Sequence, residues 1–372
     1  MAKMVEEGSV TLNVEGAFFN PRMKLNRDLG VAVTKALGIS EYLDALAASG
    51  ARGLRVAKEA GVPQVTLNDV SLRAVHLLRE NAERNGLGSC EILSANANVL
   101  LHQRHFEAVD LDPFGSPSPF LASAARSALR YLFITATDTA PLCGAHLKSG
   151  IRKYMAVPVK ADHHREMGAR ILLGAVAREL ARVDKGMHPL LTHASDHYVR
   201  LYTRIEKGAK SADETLDEMG YLEQCKSCGR WRVSPGISCR SSGICAFCKG
   251  RADVAGPLWL GPIQDRELIG KALAVVESSP ARSDRAVRLL QLCGGEIDLP
   301  MYYDQHKLCK KFKSTPGTAD DLVRTLQSLG WKASRTHFSG VGIKTDAPYE
   351  VLREVFCPPD HAGFDSATPR RE

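Results

Sequence analysis

FEAVDLDPFGSP, residues 106–117, is the stretch on which the fold turns. Its first six residues form a short apolar run of strand type. The run stops at Asp112, and Pro113, Phe114 and Gly115 follow. Proline has no N–H and a fixed φ, so the chain must leave a sheet there. A strand that ends on a carboxylate and then presents an aromatic ring places an acceptor and a stacking face at one edge.

Similar runs stand on both sides. EYLDALA (41–47), QVTLND (64–69), CEILSA (90–95) and YLFITATD (131–138) are predicted strands. ARGLRVAKEAG (51–61), closed by Gly61, is a predicted helix. So is SLRAVHLLRENAERNG (71–86), with Ser71 as N-cap and Gly86 beyond its end. Apolar strands separated by helices indicate a parallel sheet covered on both faces. EMGARILLGAVARELARV (166–183) reads as a long amphipathic helix. HPLLTHA (188–194) and HYVRLYTRIE (197–206), joined only by Ser195 and Asp196, read as an antiparallel hairpin closing that sheet. Polar KGAKSADETLDEMG (207–220) marks the exit from it. RAVRLLQLC, DLVRTLQSLG and EVLREVF are helices of a second α+β region.

The expected organisation is a catalytic domain at 1–210, a cysteine cluster at 221–260, a C-terminal α+β domain at 263–357 and a flexible tail at 358–372. Of the 372 residues, 44% are apolar and 24% charged, the balance of a soluble globular protein. No apolar run approaches the ~20 residues of a membrane span. The N-terminus lacks the layout of a signal peptide. The expected location is therefore the cytoplasm, with no membrane and no obligate protein partner implied. Lys and Arg exceed Asp and Glu by 49 to 42, a bias compatible with a polyanionic partner.

In an open α/β sheet, ligands sit beyond the carboxyl ends of the strands. After the first strand, Gly50 and Gly53 would let the backbone approach a ligand closely. Neither a G-x-G-x-x-G pattern nor a phosphate loop is present. Asp69 ends the second strand and could accept hydrogen bonds from both hydroxyls of a ribose. Asn96, with Ala97 beside it, follows the third and could face an adenine edge. Of the three, the first two have plain structural alternatives: a glycine turn and a helix-capping aspartate. Together they suit an adenosine ligand that carries no pyrophosphate, which S-adenosylmethionine is.

Asp112 and the carbonyl directed by Pro113 would then face an exocyclic amine on a nucleobase. As such a nitrogen attacks a sulfonium methyl it gains positive charge, and an acceptor there stabilises that charge and takes the proton. Phe114 offers a face for stacking a base.

These segments resemble, over roughly residues 14 to 350, the tRNA (guanine-N2-)-dimethyltransferases that act on the guanine at tRNA position 26. The resemblance is carried by FFNPRMKLNRDL (18–29), ASGARGLR (48–55), LND (67–69), ANVLL (97–101), DLDPFGSP (110–117), TATDTAPLCG (135–144) and SRTHFSGVGIKTDAP (334–348). It implies a Rossmann-like S-adenosylmethionine-dependent methyltransferase sheet, to which the cysteine spacing below adds a zinc-ribbon insertion, with tRNA as partner and N2-methyl- and N2,N2-dimethylguanosine as products. It also implies that Arg27 and Arg52 or Arg55 hold the methionine carboxylate and line the cofactor, and that Phe18 and Phe114 sandwich a flipped guanine. The family often has an acid where Asn96 stands; asparagine still offers a carbonyl oxygen to an adenine amine.

CKSC (225–228) and CAFC (245–248), separated by 16 residues, have zinc-ribbon spacing, with Cys225, Cys228, Cys245 and Cys248 as ligands of a structural zinc. Cys239 is a spare that could replace one of them. Three basic clusters suit RNA phosphates: HKLCKKFKS (306–314), HLKSGIRKY (146–154), and Arg22, Lys24 and Arg27. The alternatives are a methyltransferase on another guanine N2 or on an adenine N6 in RNA or DNA, and a non-catalytic zinc-containing RNA-binding protein.

Overall fold

The strand that leads into Asp112 is the middle strand of a seven-stranded sheet. The computed structural model describes residues 3–239, 241–315 and 317–356; the expected flexible tail and Cys357 lie outside the described residues. A hairpin of β1 (Met4–Glu7) and β2 (Val10–Asn13) precedes helix α1 (Lys24–Leu37). Strand β3 (Glu41–Asp44), helix α2 (Ala51–Arg55), strand β4 (Gln64–Asn68), helix α3 (Leu72–Arg84), strand β5 (Glu91–Leu93), helix α4 (Ala97–Gln103) and strand β6 (Phe106–Leu111) then alternate. Ser71 caps α3 by accepting from Ala74 N. Helix α5 (Leu121–Ser127) leads to β7 (Ala128–Ala136), followed by α6 (Thr139–Leu142), α7 (Leu147–Tyr154) and α8 (His164–Ala181). The hairpin β8 (Lys185–Ser195) and β9 (Tyr198–Lys207) completes the sheet, in the order β5-β4-β3-β6-β7-β9-β8. The first five strands are parallel; β9 lies antiparallel to β7, and β8 to β9.

Two local expectations need correction. Helix α8 is not amphipathic: residues from Glu166 through Ala177 are buried on every side. It lies between the sheet and a further strand, and a side chain at Gly174 would strike Met219 and Leu258. The 207–220 segment is not a polar exit but holds helix α9 (Ala209–Asp217), whose Ser211, Ala212 and Thr215 are buried; Thr215 Oγ1 accepts from Met187 N at 2.8 Å.

Strands β10 (Met219–Cys225), β11 (Trp231–Pro235) and β12 (Ala252–Trp259) form a separate antiparallel sheet in the order β11-β10-β12. Helices α10 (Arg266–Ser278) and α11 (Asp284–Gly295) follow, and their Leu268, Ile269, Ala272 and Leu290 share one apolar cluster with Leu29 and Val33 of α1. The remaining elements are β13 (Tyr303–Asp304), α12 (Gln305–Phe312), α13 (Ala319–Ser328), β14 (Ala333–Thr336), β15 (Ser339–Thr345) and α14 (Tyr349–Phe356). They enclose a core of their own around Leu322, Leu326, Ile343 and Leu352.

A buried ionic chain ties that last unit to α8. Lys344 Nζ donates to Glu166 Oε1 and Glu296 Oε1, both at 2.8 Å, and to Leu299 O at 2.9 Å. Glu166 also accepts from Arg170 Nε at 2.8 Å, and His337 Nδ1 donates to Glu296 Oε2 at 2.6 Å. Burial alone would strip the proton from His337, yet Cys293 and Glu296 push its imidazole up to about 10. The ring is therefore a cation at neutral pH, and the two carboxylates meet three cations.

Candidate active site and metal centre

A cavity of about 650 Å³ opens beyond the carboxyl ends of β3, β4 and β6. Of the residues singled out from the sequence, Phe18, Arg27, Arg52, Asp69, Asp112, Pro113 and Phe114 line it. Gly50, Gly53, Arg55, Asn96 and Ala97 do not.

The glycines shape the loop from behind. Gly50 has φ +80°, in the left-handed region. A Cβ on Gly53 would lie 2.1 Å from Leu67 Cδ2, so only glycine lets α2 pack onto β4. Asp69 Oδ2 accepts from Ala48 N at 3.0 Å and its Oδ1 from Ser71 N at 2.9 Å, which fixes the carboxylate in the cavity wall. Asn96 is exposed and caps α4, its Oδ1 accepting from Asn98 N at 2.9 Å. Arg55 is buried in ion pairs with Glu7 (3.0 Å), Asp28 (2.8 Å) and Glu59 (2.8 Å), which pin the β1–β2 hairpin onto α1 and α2. Arg27 borders the cavity, but its Nε and Nη2 already grip Glu7 at 2.6 and 2.5 Å.

Behind Asp112 lies a charge network that the sequence reading missed. Arg52 is buried, and its Nη2 donates to Asp112 Oδ2 and, at 3.0 Å, to Asn26 Oδ1. Its Nη1 is 3.8 Å from Asp110 Oδ2 and has no hydrogen-bond partner among the described residues. Arg200 grips Asp110 with two bonds of 2.7 and 2.6 Å, and Tyr42 Oη donates to Asp110 at 2.5 Å. Burial opposes ionisation of Asp110, but Arg200 and Arg52 hold its carboxyl below the usual range. Asp44, which also lines the cavity, has no such clamp. Burial and then Asp110 push it up to about 7, against the pull of Arg52 and the Gly53 N–H. One signal was available: in Asp-Leu-Asp, two residues apart on a strand, both carboxylates share a face.

Asp112 Oδ1 has no hydrogen-bond partner among the described residues, and the side chain is 24% exposed. The loop after it is stapled to the end of β7: Gly115 N donates to Thr137 Oγ1, and Thr137 N to Gly115 O, both at 2.9 Å. Phe114 and Phe18 stand at the mouth, half-exposed or more, with ring centroids 4.0 Å apart.

The cysteine pairs converge as their spacing required. The four Sγ atoms of Cys225, Cys228, Cys245 and Cys248 lie within 4.8 Å of one another, with 3.5 Å from Cys225 to Cys248 and 3.6 Å from Cys228 to Cys245. A tetrahedron with zinc–sulfur bonds of about 2.3 Å has edges near 3.8 Å, so the set fits zinc. Cys239 is exposed and outside the group. Chain purified without added metal should carry about one zinc per molecule, with four thiols silent to a thiol reagent until a chelator is added. Metal-free protein with those thiols freely titratable would reject the site. The knuckle touches the last unit: Lys311 Nζ donates to Cys228 O, and Arg230 pairs with Glu350 at 2.8 Å.

Of the basic clusters, Lys24 is paired with Asp28 and Lys153 with Asp138, whereas Lys148, Arg152, Lys307 and Lys310 are exposed without an ion-pair partner among the described residues. No described helix is long and apolar enough to cross a membrane.

A parallel sheet closed by an antiparallel hairpin, with a deep cavity at its carboxyl edge and Asp-Pro-Phe-Gly at the rim, defines an S-adenosylmethionine-dependent methyltransferase fold. The model of the N2,N2-dimethylguanosine tRNA methyltransferase family matches residues 2–357, and the chain belongs to that family. It is 46% identical to the tRNA (guanine(26)-N(2))-dimethyltransferase of Methanosarcina mazei over 91% of this chain and 90% of that protein. Its counterpart in Methanoculleus marisnigri is 44% identical, over 91% of each chain. The solved complex of Trm1 from Pyrococcus horikoshii with S-adenosyl-L-methionine is 38% identical and superposes with a TM-score of 0.89, over 95% of this chain and 99% of that one.

Proposed function

We propose that this chain methylates the exocyclic N2 amine of guanine-26 in tRNA, giving N2-methylguanosine and then N2,N2-dimethylguanosine. The observation that carries the reading is the carboxylate of Asp112, clamped through one oxygen by buried Arg52 and open at the other, set in a cavity whose mouth is framed by Phe18 and Phe114.

S-adenosylmethionine, when bound, supplies an electrophilic methyl on a sulfonium. Asp69 turns its carboxylate toward the ribose; each oxygen keeps a lone pair beyond the backbone bond it accepts. Phe18 and Phe114 receive the guanine. Sandwiching it needs about 7 Å between the rings, twice a van der Waals contact, so the two rings part as the base enters. Asp112 Oδ1 accepts a hydrogen bond from the N2–H, offsets the positive charge that develops on that nitrogen, and takes its proton. Arg52 and the Gly115–Thr137 staple hold the carboxylate still meanwhile. Arg27, with two nitrogens already on Glu7, would orient the cofactor's carboxylate through Nη1. In this reading residues 1–210 bind cofactor and target base, residues 221–260 hold a structural zinc, residues 263–357 grip the tRNA body, and the enzyme works in the cytoplasm.

The test is incubation with unmodified tRNA transcript and labelled S-adenosylmethionine, followed by nucleoside analysis. Label should enter N2-methylguanosine first and N2,N2-dimethylguanosine later, and a transcript with adenosine at position 26 should stay unlabelled. Label recovered in N6-methyladenosine would transfer the assignment to an adenine methyltransferase.

A further inference from the structure

Helix α7 carries an apolar stripe that the described residues leave partly exposed. Leu147, Ile151 and Met155 recur every four residues and so share one side of the helix, while Gly150 and Tyr154 form its buried face. Met155 is 71% exposed, and it sits just past the helix at φ +47°, a backbone conformation that residues with a Cβ rarely adopt. The backbone conformation is that of a helix cap, Met155 N donating to Ile151 O at 2.8 Å, and it holds a large apolar side chain out to solvent beside two others. The flanking charges narrow the choice: Lys153 is taken by Asp138, but Lys148 and Arg152 are exposed without an ion-pair partner among the described residues and the helix holds no acid, which suits a polyanion and disfavours an apolar protein face.

The helix that carries the stripe is tied to the active-site loop by its buried face. Tyr154 Oη donates to Asp138 Oδ1 at 2.6 Å and accepts from Ser116 Oγ at 2.9 Å, and Ser116 lies two residues beyond Phe114. Extruding a guanine from a helix leaves a gap in the stack. Proteins that unstack nucleic acid insert apolar side chains of this kind into such gaps. We propose that Leu147, Ile151 and Met155 form the wedge that packs into the tRNA stack as the target guanine leaves it, with Lys148 and Arg152 on the adjoining phosphates. This rests on the tRNA reading above.

The test is an Ile151→Ser/Met155→Ser double variant, assayed in single turnover at saturating enzyme on two transcripts. One holds the target guanine in its normal helix; the other has an abasic site facing it, which opens the stack in advance. On the first, the variant should transfer methyl about tenfold more slowly than the parent chain; on the second, it should stay within about twofold. The second transcript also shows that the variant is folded and charged with cofactor. Full rate on both transcripts, or equal loss on both, overturns the wedge. A parent chain that methylates neither transcript overturns the tRNA reading itself.

Discussion

Asp112→Ala should lower methyl transfer by roughly 10²–10⁴-fold while leaving cofactor and tRNA affinity near those of the parent chain. The expectation follows from the two sides of the carboxylate. Oδ2 is committed to Arg52, and Oδ1 is the acceptor that would meet the guanine amine. Removing the side chain takes away the group that stabilises charge on N2, an interaction made as the bond forms and so expressed in kcat rather than in binding. The variant also frees Arg52, but Asp110 is already 3.8 Å from its Nη1 and can take over the ion pair. Local collapse is therefore not expected. Asp112→Asn keeps the shape, but Arg52 takes its one carbonyl oxygen and the NH2 is turned toward the guanine amine, so it should lose activity as fully as alanine. Single-turnover transfer rates beside equilibrium binding of S-adenosylmethionine and tRNA make the test. Undiminished transfer by Asp112→Ala would end the proposed mechanism.

Lys344→Met should destabilise the docking of the C-terminal unit by about 3–5 kcal/mol, the usual cost of breaking a buried ion pair by removing one partner. Lys344 is 1% exposed and stands between Glu166 on α8 and Glu296 after α11. Methionine fills similar volume but leaves each glutamate with one cation, Arg170 for the first and His337 for the second. The residues from Tyr303 to Phe356 keep their own core, so this unit should loosen before the sheet does. Calorimetry should then show an early transition absent from the parent. A thermal profile identical to the parent's would show that Lys344 does not hold the two parts together.

The wedge and the zinc site concern surfaces and spacings. These two predictions concern pairings across long stretches of chain, and that difference also marks what could be read in advance. Gly61, Ser71 and Gly86 announced helix ends because caps are local. The β8–β9 hairpin followed from two β-rich runs with two residues between them. The CKSC and CAFC pairs announced their cluster because a knuckle is a short-range geometry. Helix α8 was misread because its composition is that of a one-sided helix, and only the strand β12 packed on its far side makes it buried throughout. Arg55 was grouped with Arg52 because both lie in GARGLR, yet three residues along a helix turn them to different partners: Arg52 to Asp112, Arg55 to Glu7.

The sequence by itself therefore determined the alternation of strands and helices, the placing of Asp69 and Asp112 just past two strands, and the four-cysteine cluster, because each is written in spacings of a few residues. The tertiary structure alone decided which charges meet: Asp110 with Arg200, Asp112 with Arg52, Lys344 with Glu166, and Phe18 against Phe114. Electrostatic energy depends on distance through space and on the surrounding dielectric, not on separation along the chain. Partners 60 to 178 residues apart become visible only once the sheet has brought them together.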